Sequence, residues 1–93
     1  MHEIGLCAAV LAAVERRAVG RRVSEVTLRV GAAHRVVPES MRQAFELVSA
    51  GTVADGATLT LVGVAGDELM LESIRVAAPA GEEVGTDVPR NPG

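Results

Sequence analysis

The chain has 93 residues, a formal net charge of −3 and only one aromatic residue. Its length is sufficient for a single small domain. All of its basic residues are arginine and they form no clustered basic face, so nucleic acid is not an expected partner. The only cysteine, Cys7, excludes an internal disulfide, and no apolar run approaches the roughly 20 residues that span a membrane. Since the start also lacks a signal-peptide pattern, we expect a cytoplasmic protein.

The first predicted element is an amphipathic helix from Ile4 to about Val19. Its apolar residues recur at i, i+3, i+7, i+10 and i+14, which places them on one helical face. Gly20 is a typical residue just beyond a helix end. We expect the helix to begin just after Glu3, leaving the first three residues outside it. The residues of the predicted apolar face are Ile4, Cys7, Leu11, Val14 and Ala18.

A strand and a second helix follow. In VSEVTLRVG, apolar and polar residues alternate from Val26 to Val30, as in a strand with one buried face. The next stretch, AAHRVV, favours neither helix nor strand. Pro38 suits the first turn of a helix, and the segment ESMRQAFELVSAG behind it has helical apolar spacing that ends at Gly51.

Two more strands are predicted, ATLTLVGV and ELMLESIRV. Only the turn residues 65–67 separate them, which predicts an antiparallel hairpin. In the last strand the alternation changes phase, because Leu69 and Leu71 share one parity whereas Ile74 and Val76 share the other. A β-bulge near Glu72 and Ser73 would bring both pairs to the same face.

The predicted order is therefore helix, strand, helix, strand, strand. This order indicates an α+β fold in which two helices cover one face of a three-stranded sheet. The domain is expected over residues 1–76, and the Pro-, Gly- and acid-rich residues 77–93 are expected to form a disordered tail. The other face of the sheet is predicted to have little cover, which favours self-association as a homodimer.

The amino end offers the clearest chemistry. In Met1-His2-Glu3, the α-amine, the backbone nitrogen of His2 and its imidazole can form adjacent chelate rings on one metal ion. The backbone nitrogen of Glu3 would complete a planar set of four nitrogens. Planar nitrogen donors suit Ni(II) or Cu(II) rather than zinc, which prefers a tetrahedral site. From spacing alone, the simpler alternative is a helix start with a chance histidine at position 2.

The remaining reactive side chains predict no catalysis. His34 has no second ligand at helical or strand spacing and is interpreted as an ordinary loop histidine. Cys7 lies on the predicted apolar face, where a cysteine behaves as a small hydrophobic residue. No acid/base pair and no phosphate-binding loop is evident, because the glycines of GVAGDE precede no helix. We therefore expect a protein that is not an enzyme.

Four stretches together resemble the HypA/HybF family: MHEIGLCAAVLAAVE, VTLRVGA, PESMRQAFELVSAGTVADGATL and GDELMLESI. Members of that family are nickel metallochaperones for the maturation of hydrogenase, and relatives also help to supply urease. The resemblance runs from Met1 to about Val76. It implies a nickel site in which His2 is the essential ligand, Met1 gives its amine, and Glu3 gives its backbone nitrogen, with a side chain that can tune the site.

The resemblance also implies partners, namely a maturation GTPase and the hydrogenase large subunit. It further implies a zinc-binding hairpin, built from two C-x-x-C pairs and inserted between the last two strands. This sequence departs from that pattern, because ATLTLVGV runs through residues 65–67 directly into ELMLESI and Cys7 is the only cysteine. We therefore expect nickel but no zinc. The alternative function is an interaction or regulatory module that binds the maturation partners without holding metal.

Overall fold

A computed structural model describes residues 2–77 of the chain, apart from the side chain of His2. Two helices and a three-stranded sheet form an α+β fold in the predicted order. The predicted tail lies outside the described residues, except for Ala77. No helix within residues 2–77 is long and apolar enough to cross a membrane. The elements are α1 (His2–Ala18), β1 (Val23–Gly31), a 3-10 turn (Ala32–His34), α2 (Pro38–Ser49), β2 (Thr58–Val64) and β3 (Leu69–Val76).

The strands lie in the order β2-β1-β3, so the predicted hairpin of the last two strands is wrong. β1 occupies the centre, parallel to β2 and antiparallel to β3. The connection over residues 65–68 crosses the end of β1 and binds it, because Gly31 N donates to Glu68 O at 2.6 Å and Ala33 N donates to Gly66 O at 2.8 Å. Two strand spacings of roughly 5 Å are within reach of so short a connection.

Gly31 is the residue that makes this crossing possible. A Cβ atom at this position would collide with the carbonyl oxygen and carbon of Gly66 and with the backbone nitrogen of Glu68. All three neighbours are backbone atoms, which cannot turn aside as the end of a side chain could. A glycine is therefore required where the connection passes over the central strand.

The predicted β-bulge in β3 is confirmed. Thr27 pairs with Ser73 and Leu28 pairs with Leu71, so Glu72 is left without an opposite residue. This extra residue resets the alternation of β3. As a result, Leu71 and Ile74 lie on the same, helix-covered face of the sheet, opposite core residues of β1.

The core lies between that face and the helices. β1 contributes Val26, Leu28 and Val30, which alternate with partly exposed polar residues as the sequence predicts. Phe45 of α2, the only aromatic residue, is 1% exposed and is the largest fully buried side chain. The other buried apolar residues are Cys7, Val10, Val14, Ala18, Val23, Met41, Ala44, Ala54 and Leu59.

α1 differs from its prediction at its first turn. The helix begins at His2 rather than just after Glu3. Glu3 is buried at 9% exposure, whereas Ile4, predicted to lie on the apolar face, is 40% exposed. Glu3 and Cys7 are four residues apart and share a face, so the buried stripe starts one residue earlier than the apolar pattern indicates. α1 packs against both α2 and β3, and these two contacts determine which side of the helix is buried.

The uncovered face of the sheet is polar. On it, Arg75 Nε lies 3.3 Å from Glu25 Oε1, and Thr60 Oγ1 lies 3.4 Å from the other oxygen of Glu25. Arg29 donates to Glu68 from Nε at 3.2 Å and from Nη2 at 3.4 Å. These groups are partly exposed, so each pair contributes little stability.

Candidate metal site at the amino end

The start of α1 determines how the predicted nickel ligands are presented. In an α-helix, hydrogen bonds run from N–H(i) to C=O(i−4), so the first four N–H groups take no part in this ladder. Because α1 begins at His2, the backbone nitrogens of His2 and Glu3 belong to that group. A metal bound at these two nitrogens would break no hydrogen bond of the ladder.

The helical backbone is also a suitable starting point for chelation. Two successive backbone nitrogens reach the same ion only when the N–Cα–C–N torsion ψ is close to eclipsed. A helical ψ of about −42° is much nearer to this arrangement than the value of about +120° to +135° in a strand. The first turn of α1 therefore needs only a limited rotation to bring the nitrogens of His2 and Glu3 onto one ion. Met1 and the His2 side chain lie outside the described residues, so their positions stay a prediction.

Glu3 is the one predicted site residue whose side chain is described. It lies on the buried face of α1, and its charge interacts electrostatically with Cys7, one helical turn further along the chain. Burial, and secondly the neighbouring Glu3 carboxylate, raise the pKa of the Cys7 thiol to about 11. The carboxylate also lies at the helix end where the macrodipole is positive, and so offsets a field that disfavours cations.

Cys7 is structural, as predicted. Its Sγ is fully buried and donates to the carbonyl oxygen of Met41 at 3.4 Å, which ties α1 to α2. With its pKa raised, the group is a thiol throughout the neutral range. It therefore lacks the thiolate that nucleophilic or redox chemistry and metal binding require.

His34 lies apart from any metal-binding cluster. Its Nε2 atom is 2.8 Å from the carbonyl oxygen of Asp67, which links the 3-10 turn to the connection over residues 65–68. This contact agrees with its interpretation as a loop histidine. Over the part of the chain that the structure describes, no three His, Cys, Asp or Glu side chains come together in a way that could hold a metal ion.

Comparison with known proteins identifies the family. A family model described as hydrogenase/urease nickel incorporation, metallochaperone, hypA matches residues 1–69. The chain belongs to the HypA family. A hydrogenase maturation factor HypA of Geobacter sp. (strain M21) is 44% identical over 66 residues, which cover 71% of this chain and 60% of the relative. The HypA of Nostoc punctiforme is 35% identical over 66 residues, covering 71% and 58%. HypA 2 of Bradyrhizobium diazoefficiens is 41% identical over 69 residues, covering 71% and 61%.

The extent of the match bears on the candidate site. It begins at Met1 and therefore includes all three predicted ligand residues. It ends at Leu69, the first residue of β3, just after the connection that crosses β1. This chain spans about three-fifths of the length of the HypA relatives. The resemblance drawn from the sequence is confirmed at the level of the family.

Sequence reasoning missed two features of the structure. The first is the burial of Glu3, which no apolar pattern signals because the residue is charged. The second is a groove of about 680 Å³ where the end of β2 meets the start of α2, lined by residues that include Val36, Leu61 and Gly63. It arises from segments more than twenty residues apart, so no local spacing could have revealed it.

Proposed function

We propose that this HypA-family chain is a nickel-binding accessory protein for the maturation of a nickel enzyme, with [NiFe] hydrogenase as the preferred target. The observation that carries the proposal is the family match, which starts at Met1 and includes His2 and Glu3. Four nitrogens would hold Ni(II): the Met1 amine, the His2 imidazole and the backbone nitrogens of His2 and Glu3. The chain itself would catalyse no reaction.

The proposed mechanism is ligand exchange at the first turn of a helix. Binding requires the amine, the imidazole and the two amides to be free of their protons, so the affinity for Ni(II) falls as pH falls. The Glu3 carboxylate adds negative charge beside the ion. Because the helical ladder of α1 is not used for binding, the metal can be passed to a partner that offers better geometry without unfolding α1.

The proposed partners are a maturation GTPase and the hydrogenase large subunit, and the proposed compartment is the cytoplasm. We propose that nickel is the only metal handled by these 93 residues. A zinc hairpin needs two cysteine pairs, whereas the sequence has Cys7 alone, and that thiol is buried between α1 and α2. The family pattern would insert that hairpin between the last two strands, which four residues join in this chain.

The test is a nickel titration of untagged protein. Binding is measured by calorimetry and by the visible absorption of planar Ni(II). Mass spectrometry first confirms that Met1 is present. We expect one ion per chain for the natural sequence, and loss of binding both in His2→Ala and in a form with one extra residue before Met1. His34→Ala is the matched control, since it removes the only other histidine and should bind as the natural chain does.

The outcomes separate the proposal from its alternative. Equal nickel binding by the natural chain, His2→Ala and the extended form would show that the site lies elsewhere. If none of the three binds nickel while the chain still captures the purified maturation GTPase, the interaction module without metal is the correct function. Loss of binding in His34→Ala alone would place the ligand in the 3-10 turn instead of at the amino end.

A further inference from the structure

Four arginines lie at one end of the domain, although their spacing in the sequence indicates no clustered basic face. Two belong to the last turn of α1, and two belong to the short connection between α1 and β1. Arg21 N donates to the carbonyl oxygen of Ala18 at 3.0 Å, which holds this connection against the end of the helix. All four side chains are exposed. We refer to these residues as the arginine group: Arg16, Arg17, Arg21 and Arg22.

Residues 2–77 leave the positive charge of the arginine group without a carboxylate partner. In this part of the chain, none of its guanidinium groups lies within 4.0 Å of a carboxylate. Three of them donate to backbone carbonyl oxygens, those of Glu72, Ala77 and Asp55. The Glu72 carboxylate lies 4.0 Å from Arg29 instead. The Asp55 carboxylate accepts from Gly51 N at 3.0 Å. The helix macrodipole favours cations only within the last turn, so it does not account for the two arginines of the connection.

The chain leaves β3 beside the arginine group. Ala77 N donates to the carbonyl oxygen of Arg22 at 2.7 Å, and the Ala77 carbonyl oxygen accepts from Arg21 Nη2 at 3.3 Å. Residues 78–93 follow, and their side chains include three carboxylates but only one cation. Five residues of extended chain reach about 17 Å, so the first of these carboxylates can return to the arginine group. The charged residues of this acidic segment are Glu82, Glu83, Asp87 and Arg90.

We propose that the arginine group is a binding surface for an acidic chain segment, and that residues 78–93 of the same chain occupy it. A guanidinium group can donate two parallel N–H bonds to one carboxylate. A single exposed pair of this kind contributes little. Here several pairs form together, and attachment at Ala77 gives the acidic segment an effective concentration in the millimolar range. The segment thereby competes with acidic segments of other proteins. The contact uses none of the residues proposed to hold nickel, so it stands independently of the proposed function.

A nitroxide spin label on the full chain tests this contact. Thr86→Cys places the label among the acidic residues, and Cys7 does not react because it is fully buried. Amide NMR signals of residues 16–22 should broaden. A segment without the contact would also pass this end of the domain, so the reference is the labelled chain with Glu82→Gln, Glu83→Gln and Asp87→Asn. Broadening should be about threefold or more stronger with the natural acidic residues than in this reference. In 1 M NaCl, where the Debye length is about 3 Å, the difference should disappear.

Two matched pairs of arginine variants show whether the arginine group is the surface that binds. Arg16→Gln with Arg17→Gln removes two of its charges and leaves the hydrogen bonds of Ala77 in place. Arg35→Gln with Arg42→Gln removes two exposed charges outside the group. The first pair should reduce the broadening about twofold or more, and the second should leave it nearly unchanged.

Competition is measured by calorimetry with a short peptide of glutamates. The unlabelled chain with the three acidic residues neutralised should bind the peptide about threefold or more tightly than the natural chain, because its own segment no longer competes. Equal broadening in the natural and neutralised chains would overturn the proposal. Equal effects of the two arginine pairs would also overturn it, and so would equal affinities for the peptide.

Discussion

The buried thiol of Cys7 predicts that this protein loses stability in mildly alkaline solution. Its pKa in the folded protein is about 11, compared with an ordinary value of 9.0. Below pH 9 the thiol is protonated in both the folded and the unfolded chain, so its contribution to stability is fully present. Between pH 9 and 11 the unfolded chain releases its proton first, and the free energy of unfolding falls.

The size of the loss follows from the two pKa values. The difference of about two units corresponds to about 2.7 kcal/mol in the limit of high pH, and about 2 kcal/mol is lost by about pH 10.5. A domain of this size has only a few kcal/mol of net stability, so the loss is a large fraction of the total. The chain contains no lysine and no tyrosine, and therefore no other side chain titrates in this range.

The assay is urea unfolding under reducing conditions at a series of pH values from about 8 to 10.5. Cys7→Ala is the comparison, because it lacks the thiol and keeps the α-amine. The α-amine titrates near pH 8 in both proteins, so its effect drops out of the difference between their free energies of unfolding. The natural chain should lose about 2 kcal/mol relative to Cys7→Ala over this range. Thiolate absorbance should give the same pKa directly. Parallel pH profiles of the two proteins would refute the reasoning, and so would a folded-state pKa near 9.

Three further predictions concern packing. Phe45→Ala should cost about 3–5 kcal/mol, because it empties the centre of the core, and circular dichroism should show a largely unfolded chain. Gly31→Ala should lower the urea midpoint strongly, since its Cβ collides with the backbone of Gly66. Gly5→Ala is its control, because open space surrounds that position in α1, and the substitution should raise stability by about 0.5–1 kcal/mol. Equal midpoints for the two glycine variants would contradict the proposed crossing of β1 by residues 65–68.

The sequence alone determined the elements and their approximate limits, because each rests on a local period. The alternation in β1 and the change of phase in β3, which revealed the bulge at Glu72, are patterns within a few residues of one another. The family was also accessible from the sequence, since its signature residues are contiguous stretches. The proposed nickel ligands are three successive residues and depend on no distant contact.

Only the tertiary structure decided which strands pair and which face of α1 is buried. A connection of four residues between β2 and β3 fits a hairpin as well as it fits a crossing over β1. The choice depends on Gly31, whose missing side chain lets the connection pass. The burial of Glu3 in place of Ile4 likewise depends on α1 packing against α2 and β3 together. Both outcomes come from contacts between residues far apart in the chain, which a local pattern of hydrophobicity does not encode.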